Sequence, residues 1–271
     1  MSFAGNHHLY TKKGYRKLCD LADSVVEVWS PLANKFILAT ISEVKLDRAI
    51  RISAKTSIKS DTISWEYNLT PDHSVCVRHS DTFELIPVTQ ALGSTLLFGA
   101  TFGPFYEHKL PANISLDDVH DPEELMEILL PDSQAGINIQ QARTIVLYQY
   151  LVAGELVPHL KLTFDKEHHK HIIYLIEHLL DMLSLGKREK READSLVHFV
   201  YPMYGSNIRF AEEIGVPAKV SRMKNKQFYH FLNSIQPRVY GLDEISFEKP
   251  ATYYQVKTDG QTYVIDHCIF T

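Results

Sequence analysis

The feature that most constrains this chain is the order of its hydrophobic patterns. Short alternating runs rich in β-branched and aromatic residues fill both ends, and helix-period runs are confined to the middle. Residues 24–30, 36–41, 49–53, 62–67 and 74–78 read as separate strands. Lys13-Gly14 reads as a hairpin turn, and 18–21 as a short helical turn. No helix of useful length is expected before about residue 115. A helix then starts by the capping rules, with Asp121 at the N-cap, Pro122 at the first position and an acid at the third. Further helices are expected over 139–155 and 166–185, the latter with Ile172, Ile176, Leu179 and Leu183 on one face and Gly186 as its cap. Between and after them come strands over 158–164, 195–201 and 207–210, a solvated charged loop over 187–194, and a basic helix over 219–232. Strand composition returns at 238–242, 252–256 and 262–265, with Asp259-Gly260 as a hairpin turn. The order β, then α/β, then β predicts one β domain interrupted by an insert, with the chain ends brought together.

Composition narrows the class of function. At 271 residues the chain is long enough for one large domain or two smaller ones. A net charge of −5 argues against a broad nucleic-acid surface and leaves room only for a local basic groove. The three cysteines, Cys19, Cys76 and Cys268, have no CxxC spacing and fit a reducing compartment. With no signal peptide and no membrane-spanning apolar run, a cytoplasmic protein without a membrane partner is expected.

The chemistry centres on Thr70-Pro71-Asp72-His73. A hydroxyl and an imidazole three residues apart, just after a strand, can surround one reacting atom. The two ends supply candidate nucleophiles, Ser2 and Cys268. His168, His169, His171 and His178 start an amphipathic helix and are expected to be solvated rather than metal-bound.

These residues resemble those of an intein, a self-splicing protein of the Hint fold. Ser2-Phe3-Ala4-Gly5, residues 10–17 and Val26-Glu27-Val28-Trp29 look like the N-terminal splicing block, and Thr70–His73 like the TxxH block. Arg238-Val239-Tyr240 and residues 259–268 look like the two C-terminal blocks. The middle, with Tyr150-Leu151-Val152-Ala153-Gly154-Glu155, then a strand and a long amphipathic helix, looks like a degenerate single-motif LAGLIDADG homing endonuclease. The resemblance implies a mainly β, horseshoe-like Hint splicing domain interrupted by an α/β insert domain. Its parts would be 2–112 and 236–268, the insert 113–235, and residues 269–271 a flanking segment of the host protein.

The resemblance also implies roles. Ser2 attacks the Met1 carbonyl, His73 protonates the departing Ser2 nitrogen, and Thr70 orients that nitrogen or stabilises the oxyanion. Cys268 would take the upstream segment by transesterification, and a terminal Asn would then cyclise. This chain departs from the pattern. It has Asp266-His267 before Cys268, and His267 cannot form the cyclic imide. Gly241 replaces the block Asp, although Asp243 lies nearby. The expectation is therefore a precursor that stays intact, needing no cofactor and acting on host-protein flanks in cis. In the insert, Glu155 would hold Mg²⁺, and Arg222, Lys224 and Lys226 would contact phosphates of host-gene DNA. The alternatives are a DNA-cleaving homing endonuclease and a non-catalytic β-rich interaction module.

Overall fold

A computed structural model describes residues 1–58, 61–79, 82–102, 121–130, 137–155, 160–183, 189–201, 208, 212 and 233–271. In chain order the first elements are β1 (Ser2–Ala4), β2 (His8–Thr11), β3 (Gly14–Lys17), β4 (Ser24–Ser30), β5 (Lys35–Ile58), β6 (Asp61–Leu69), β7 (Ser74–His79), β8 (Thr82–Pro87) and β9 (Thr95–Leu96). Then follow α1 (Pro122–Leu129), α2 (Ile139–Ala153), β10 (Gly154–Glu155), β11 (Leu160–Asp165), α3 (Lys170–Met182), β12 (Glu189–Ala193) and β13 (Leu196–Tyr201). The last strands are β14 (Arg238–Lys257), β15 (Tyr263–Ile265) and β16 (Cys268–Phe270). Two compact units result, one from Met1–Gly103 with Asn233–Thr271 and one from Pro104–Leu232. Among the described residues no helix is long and apolar enough to cross a membrane.

The first unit is a 12-stranded antiparallel sheet, which makes the protein mainly β. Its frame is two long strands that differ from the sequence expectation. Residues 36–41 and 49–53 belong to one 24-residue strand, β5. Likewise 238–242 and 252–256 are the two ends of β14. The stretch between the first pair, Glu43 to Asp47, separates the two strands read from the sequence. It alternates, with Glu43, Lys45 and Asp47 exposed and Val44 and Leu46 turned inward. Its backbone is paired, since β5 bonds β4 at its start, β14 along most of its length and β6 at its end. β14 tolerates Gly241 and Pro250 at two register shifts, Val239/Gly241 and Ser246/Ala251, where ladder bonds are interrupted.

This frame brings the chain ends to one place. β1 lies between β14 and β6, with Phe3 opposite Tyr254 and Leu69. β16 pairs with β15 and, through Phe270, with Val75 of β7. The corner between β6 and β7, which holds Thr70–His73, therefore faces both the first and the last strand. Phe3, Tyr67, Tyr263 and Phe270 are fully buried around it. The Phe3 and Phe270 rings meet edge to face at 5.0 Å, and the Tyr67 and Phe270 rings meet at a tilt at 5.2 Å.

The second unit has a 4-stranded antiparallel sheet in the order β10-β11-β13-β12. Leu162, Phe164, Val197 and Phe199 are buried, while Ile172, Ile176, Leu179 and Leu180 form the buried stripe of α3. Asp121 caps α1 by accepting from Glu123 N, as the sequence predicts. Asn138 caps α2 with a full capping box. Two expectations are corrected. Within the 187–194 run, residues 189–193 form a strand rather than a loop: β12 pairs with β13 across a turn in which Asp194 has φ 48°. A strand pairs through its backbone, so a charged sequence does not prevent it. The third helix begins at Lys170, not at 166, because the Asp165 carboxylate accepts from Glu167 N and His168 N and holds 166–168 as a turn. Gly186, the 207–210 run except Ile208, and the basic stretch 219–232 lie outside the described residues.

Candidate active site

The corner after β6 is built by its own turn. His73 N donates to Thr70 O at 3.5 Å across Pro71-Asp72, and Val88 N donates to His73 O at 3.0 Å. Thr70 continues the β1–β6 ladder, its N–H donating to Ser2 O at 2.8 Å. Its hydroxyl accepts from Ser2 N at 2.9 Å. On the other side of β1, Val256 N donates to Met1 O at 3.3 Å. The peptide bond between Met1 and Ser2 is thus held at both polar atoms, its oxygen by a strand amide and its nitrogen by a side-chain hydroxyl. Ser2 itself is 4% exposed.

His73 is 1% exposed and joins the two chain ends. Its Nε2 is 3.3 Å from Ser2 O and its Nδ1 is 2.9 Å from Thr271 O. Tyr263 Oη is 3.4 Å from the same Nδ1. Two carbonyl acceptors would favour a doubly protonated ring. Burial works against that, outweighs both hydrogen bonds, and lowers the His73 pKa to about 4. His73 is therefore neutral near pH 7, with one N–H to share between two carbonyls. Burial also pushes the Tyr263 phenol well up, so it stays protonated and can donate to the ring. The Phe3 ring packs on His73 at 4.3 Å.

The C-terminal residues are organised differently. Asp266 and His267 have φ 39° and 77°, and Ile265 pairs with Cys268, so the two form a tight hairpin turn of the primed type. Neither residue is glycine, and the turn is held by its surroundings. Asn68 N donates to His7 Nε2 at 3.0 Å, which leaves the His7 proton on Nδ1 to bond Asp266 Oδ2 at 2.6 Å. His8 N donates to Asp266 Oδ1 at 3.0 Å, and Tyr67 Oη donates to Asp266 O at 3.0 Å. Burial raises the Asp266 pKa, but the His7 bond and the other contacts prevail and hold it below the usual carboxylate range. Gly99 N donates to His267 O at 2.8 Å, and Tyr15 Oη lies 3.2 Å from His267 Nδ1.

Of the sequence candidates, Ser2, Thr70 and His73 come together. Cys268 is fully buried in β16, bridged to Phe98, three residues before the Thr271 that His73 touches. Three residues of extended strand span roughly 10 Å. Ile269 and Phe270 are also fully buried, and Thr271 N donates to Ser74 O at 3.0 Å. Of residues 269–271, Ile269 and Phe270 lie in β16 and Thr271 follows it directly. Asp243 is exposed opposite Arg51, which itself pairs with Asn68, so it sits two strands, roughly 10 Å, from β6. The Asp259-Gly260 turn has the expected positive φ, 49° and 81°, but β15 returns to pair with β16 and Leu9 rather than with β14. Glu155 pairs opposite Lys161 in β10 of the second unit. Arg222, Lys224 and Lys226 lie outside the described residues. Among the described residues no three His, Cys, Asp or Glu side chains converge to hold a metal ion, so no Mg²⁺ ligand set can be assigned.

Sequence reasoning missed four contributors: the Val256 amide, Tyr263, Thr271 and Asp72. The first acts through its backbone and leaves no side-chain signal. Asp72 stands inside the motif, and besides its charge effect on His73 it acts on Thr70 and residue 1. It accepts from the Thr70 hydroxyl through Oδ1 and pairs with the Met1 amine through Oδ2 at 3.1 Å.

No family model matches the sequence, and no curated protein matches it. Among solved structures, the chain is similar to a bacterial intein-like domain from Clostridium thermocellum, with a TM-score of 0.36 and 9% identity over 100% of this chain and 96% of that one.

Proposed function

We propose that this protein rearranges its own peptide bond between Met1 and Ser2, as the first step of a protein-splicing element. The observation that carries the reading is the seating of that bond: Ser2 N–H on Thr70 Oγ1, Met1 O on the Val256 amide, and His73 at the Ser2 carbonyl. The Ser2 hydroxyl attacks the Met1 carbonyl carbon. A C–O bond forms, the C–N bond breaks, and the hydroxyl proton ends on the Ser2 nitrogen. The products are an ester and a free amine, and no outside reagent is consumed. Negative charge develops on Met1 O, where the Val256 N–H already points. Thr70 orients the departing nitrogen. Neutral His73 fixes the Ser2 carbonyl and relays a proton rather than serving as a standing cation.

The later steps are proposed in a narrower form. A transfer of the ester to Cys268 and a cyclisation at position 267 would need those residues at the corner, and it is Thr271 that His73 contacts. With His267 unable to cyclise, the bonds around 267–268 stay intact and the element stops after the first rearrangement. A homing-endonuclease role for the second unit, with Glu155 as its acid and host-gene DNA as its target, has one supporting feature. Its described elements run α2-β10-β11-α3-β12-β13, with one helix, α3, between two strand pairs.

The test uses the full chain with a reporter protein fused before Met1. Hydroxylamine cleaves esters and spares amides. Release of the reporter, abolished by Ser2→Ala, supports the reading. Equal behaviour of the two chains refutes it.

A further inference from the structure

Resting on that reading, we propose that the protein carries a subsite for the residue preceding Ser2, built from Asp72, the Val256 amide and the wall formed by Gln255–Gly260. Three backbone contacts converge on residue 1. Its nitrogen lies 3.1 Å from Asp72 Oδ2, its oxygen accepts from Val256 N at 3.3 Å, and the next nitrogen donates to Thr70 Oγ1 at 2.9 Å. Residue 1 is thereby held as one more rung of β1 against β14, whose register runs Ser2 opposite Gln255. Beside it opens a pocket lined by Met1, Gln255, Val256, Lys257, Thr258, Asp259 and Gly260. When residue 1 carries further chain, its nitrogen is an amide with one proton, and that N–H is the donor to Asp72.

Asp72 does two things at once. Through Oδ1 it accepts a hydrogen bond from the Thr70 hydroxyl, which turns the Thr70 lone pairs toward Ser2 N–H. Through Oδ2 it fixes residue 1. It is a positioning residue: it touches neither the attacking oxygen nor the carbonyl under attack, and it acts through Thr70 and residue 1. The pocket then reads the side chain. The strand-end wall is mostly uncharged, with Gln255, Val256, Thr258 and Gly260 in it, which favours an apolar group. Asp259 in the wall and Asp72 beside residue 1 disfavour a carboxylate.

The test separates this subsite from the reaction itself. In the Ser2→Ala chain carrying a reporter before Met1, which cannot form an ester, hydrogen exchange at the residue 1 amide should be slowed at least about tenfold relative to the free segment. Asp72→Ala should abolish that protection, and Asp72→Asn, which keeps an acceptor, should retain part of it. An unprotected amide overturns the subsite whether or not Ser2 reacts. In the Ser2 chain, hydroxylamine release should be about tenfold slower for Met1→Asp than for Met1→Leu, the scale typical of pocket discrimination. Asp72→Ala and Met1→Pro, which removes the residue 1 N–H, should each slow release and together cost no more than either alone. Additive losses, or equal rates for every residue 1, overturn the proposal.

Discussion

The two ends of this chain reach the same corner and are held there by different physics. The atoms of the N-terminal bond are gripped by polar contacts: a hydroxyl on its nitrogen, a strand amide on its oxygen and an imidazole on the following carbonyl. The C-terminal strand is held by burial, with Cys268, Ile269 and Phe270 all at 0% exposure, and by a turn clamped through Asp266. The first arrangement aims a few atoms at a bond. The second fixes a strand so that its last residue arrives at His73. The comparison teaches that a nucleophile named by its position in sequence, Cys268, can belong to the scaffold, while a residue without a reactive side chain role, Thr271, meets the imidazole.

Substitutions should separate the two ends cleanly. The largest chemical effect is expected for Ser2→Ala, which removes the only attacking atom and should lower ester formation by roughly 10³-fold or more. Its thermal stability should stay close to that of the parent. His73→Ala should follow, with a loss of roughly 10²-fold in the same release assay. The opposite profile is expected at Phe270→Ala. Emptying a fully buried ring site that touches Phe3 and Tyr67 should cost about 3–5 kcal/mol in denaturant unfolding. Cys268→Ala should cost stability, about 1–2 kcal/mol, and leave the rate of ester formation within about twofold. A Cys268→Ala chain that is stable but inert would break the comparison.

Acid offers a finer probe. Burial holds His73 neutral with a pKa of about 4, below the ordinary imidazole value of 6.5. The unfolded chain therefore binds more protons than the folded one between those values. Stability should rise with pH through that window and fall by about 3 kcal/mol as pH drops from 6.5 to 4. Substituting His73 by Phe should flatten that part of the curve. Asp266 acts with the same sign lower down. Its folded pKa is depressed, so its contribution is present above the ordinary carboxylate range and disappears as pH falls through the folded value. Asp266→Asn, which suits a positive φ, should lose this acid-side dependence with the smallest change at pH 7. Melting temperature measured against pH in the three proteins checks both.

How much of this was legible in the sequence follows from what each feature depends on. That Thr70 and His73 would sit together was legible in their three-residue spacing, and Ser2 was brought to them by the resemblance of its N-terminal block. The capping of α1 could also be found from spacing. The unity of β5 could not, because Glu43 to Asp47 reads as a break between two strands until a partner strand pairs its backbone. The turn at Asp266-His267 was hidden because neither residue has the local preference of Asn-Gly, and its positive φ is maintained by His7, Tyr67 and Gly99 from distant parts of the chain. Asp259-Gly260 was legible as a turn, whereas the strands that its return would join depend on the β15–β16 pairing. The Val256 amide leaves no sequence trace at all.

The central claim is that one bond, at the N-terminal end, is the reactive one. The most direct measurement is intact mass spectrometry of the chain carrying a reporter before Met1 and a segment after Thr271, before and after hydroxylamine. The account predicts a single cleavage between residues 1 and 2, with Cys268–Phe270 and Thr271 still attached to the rest. Release of the C-terminal fragment at 267–268, or no hydroxylamine-dependent cleavage at residue 1, would contradict it.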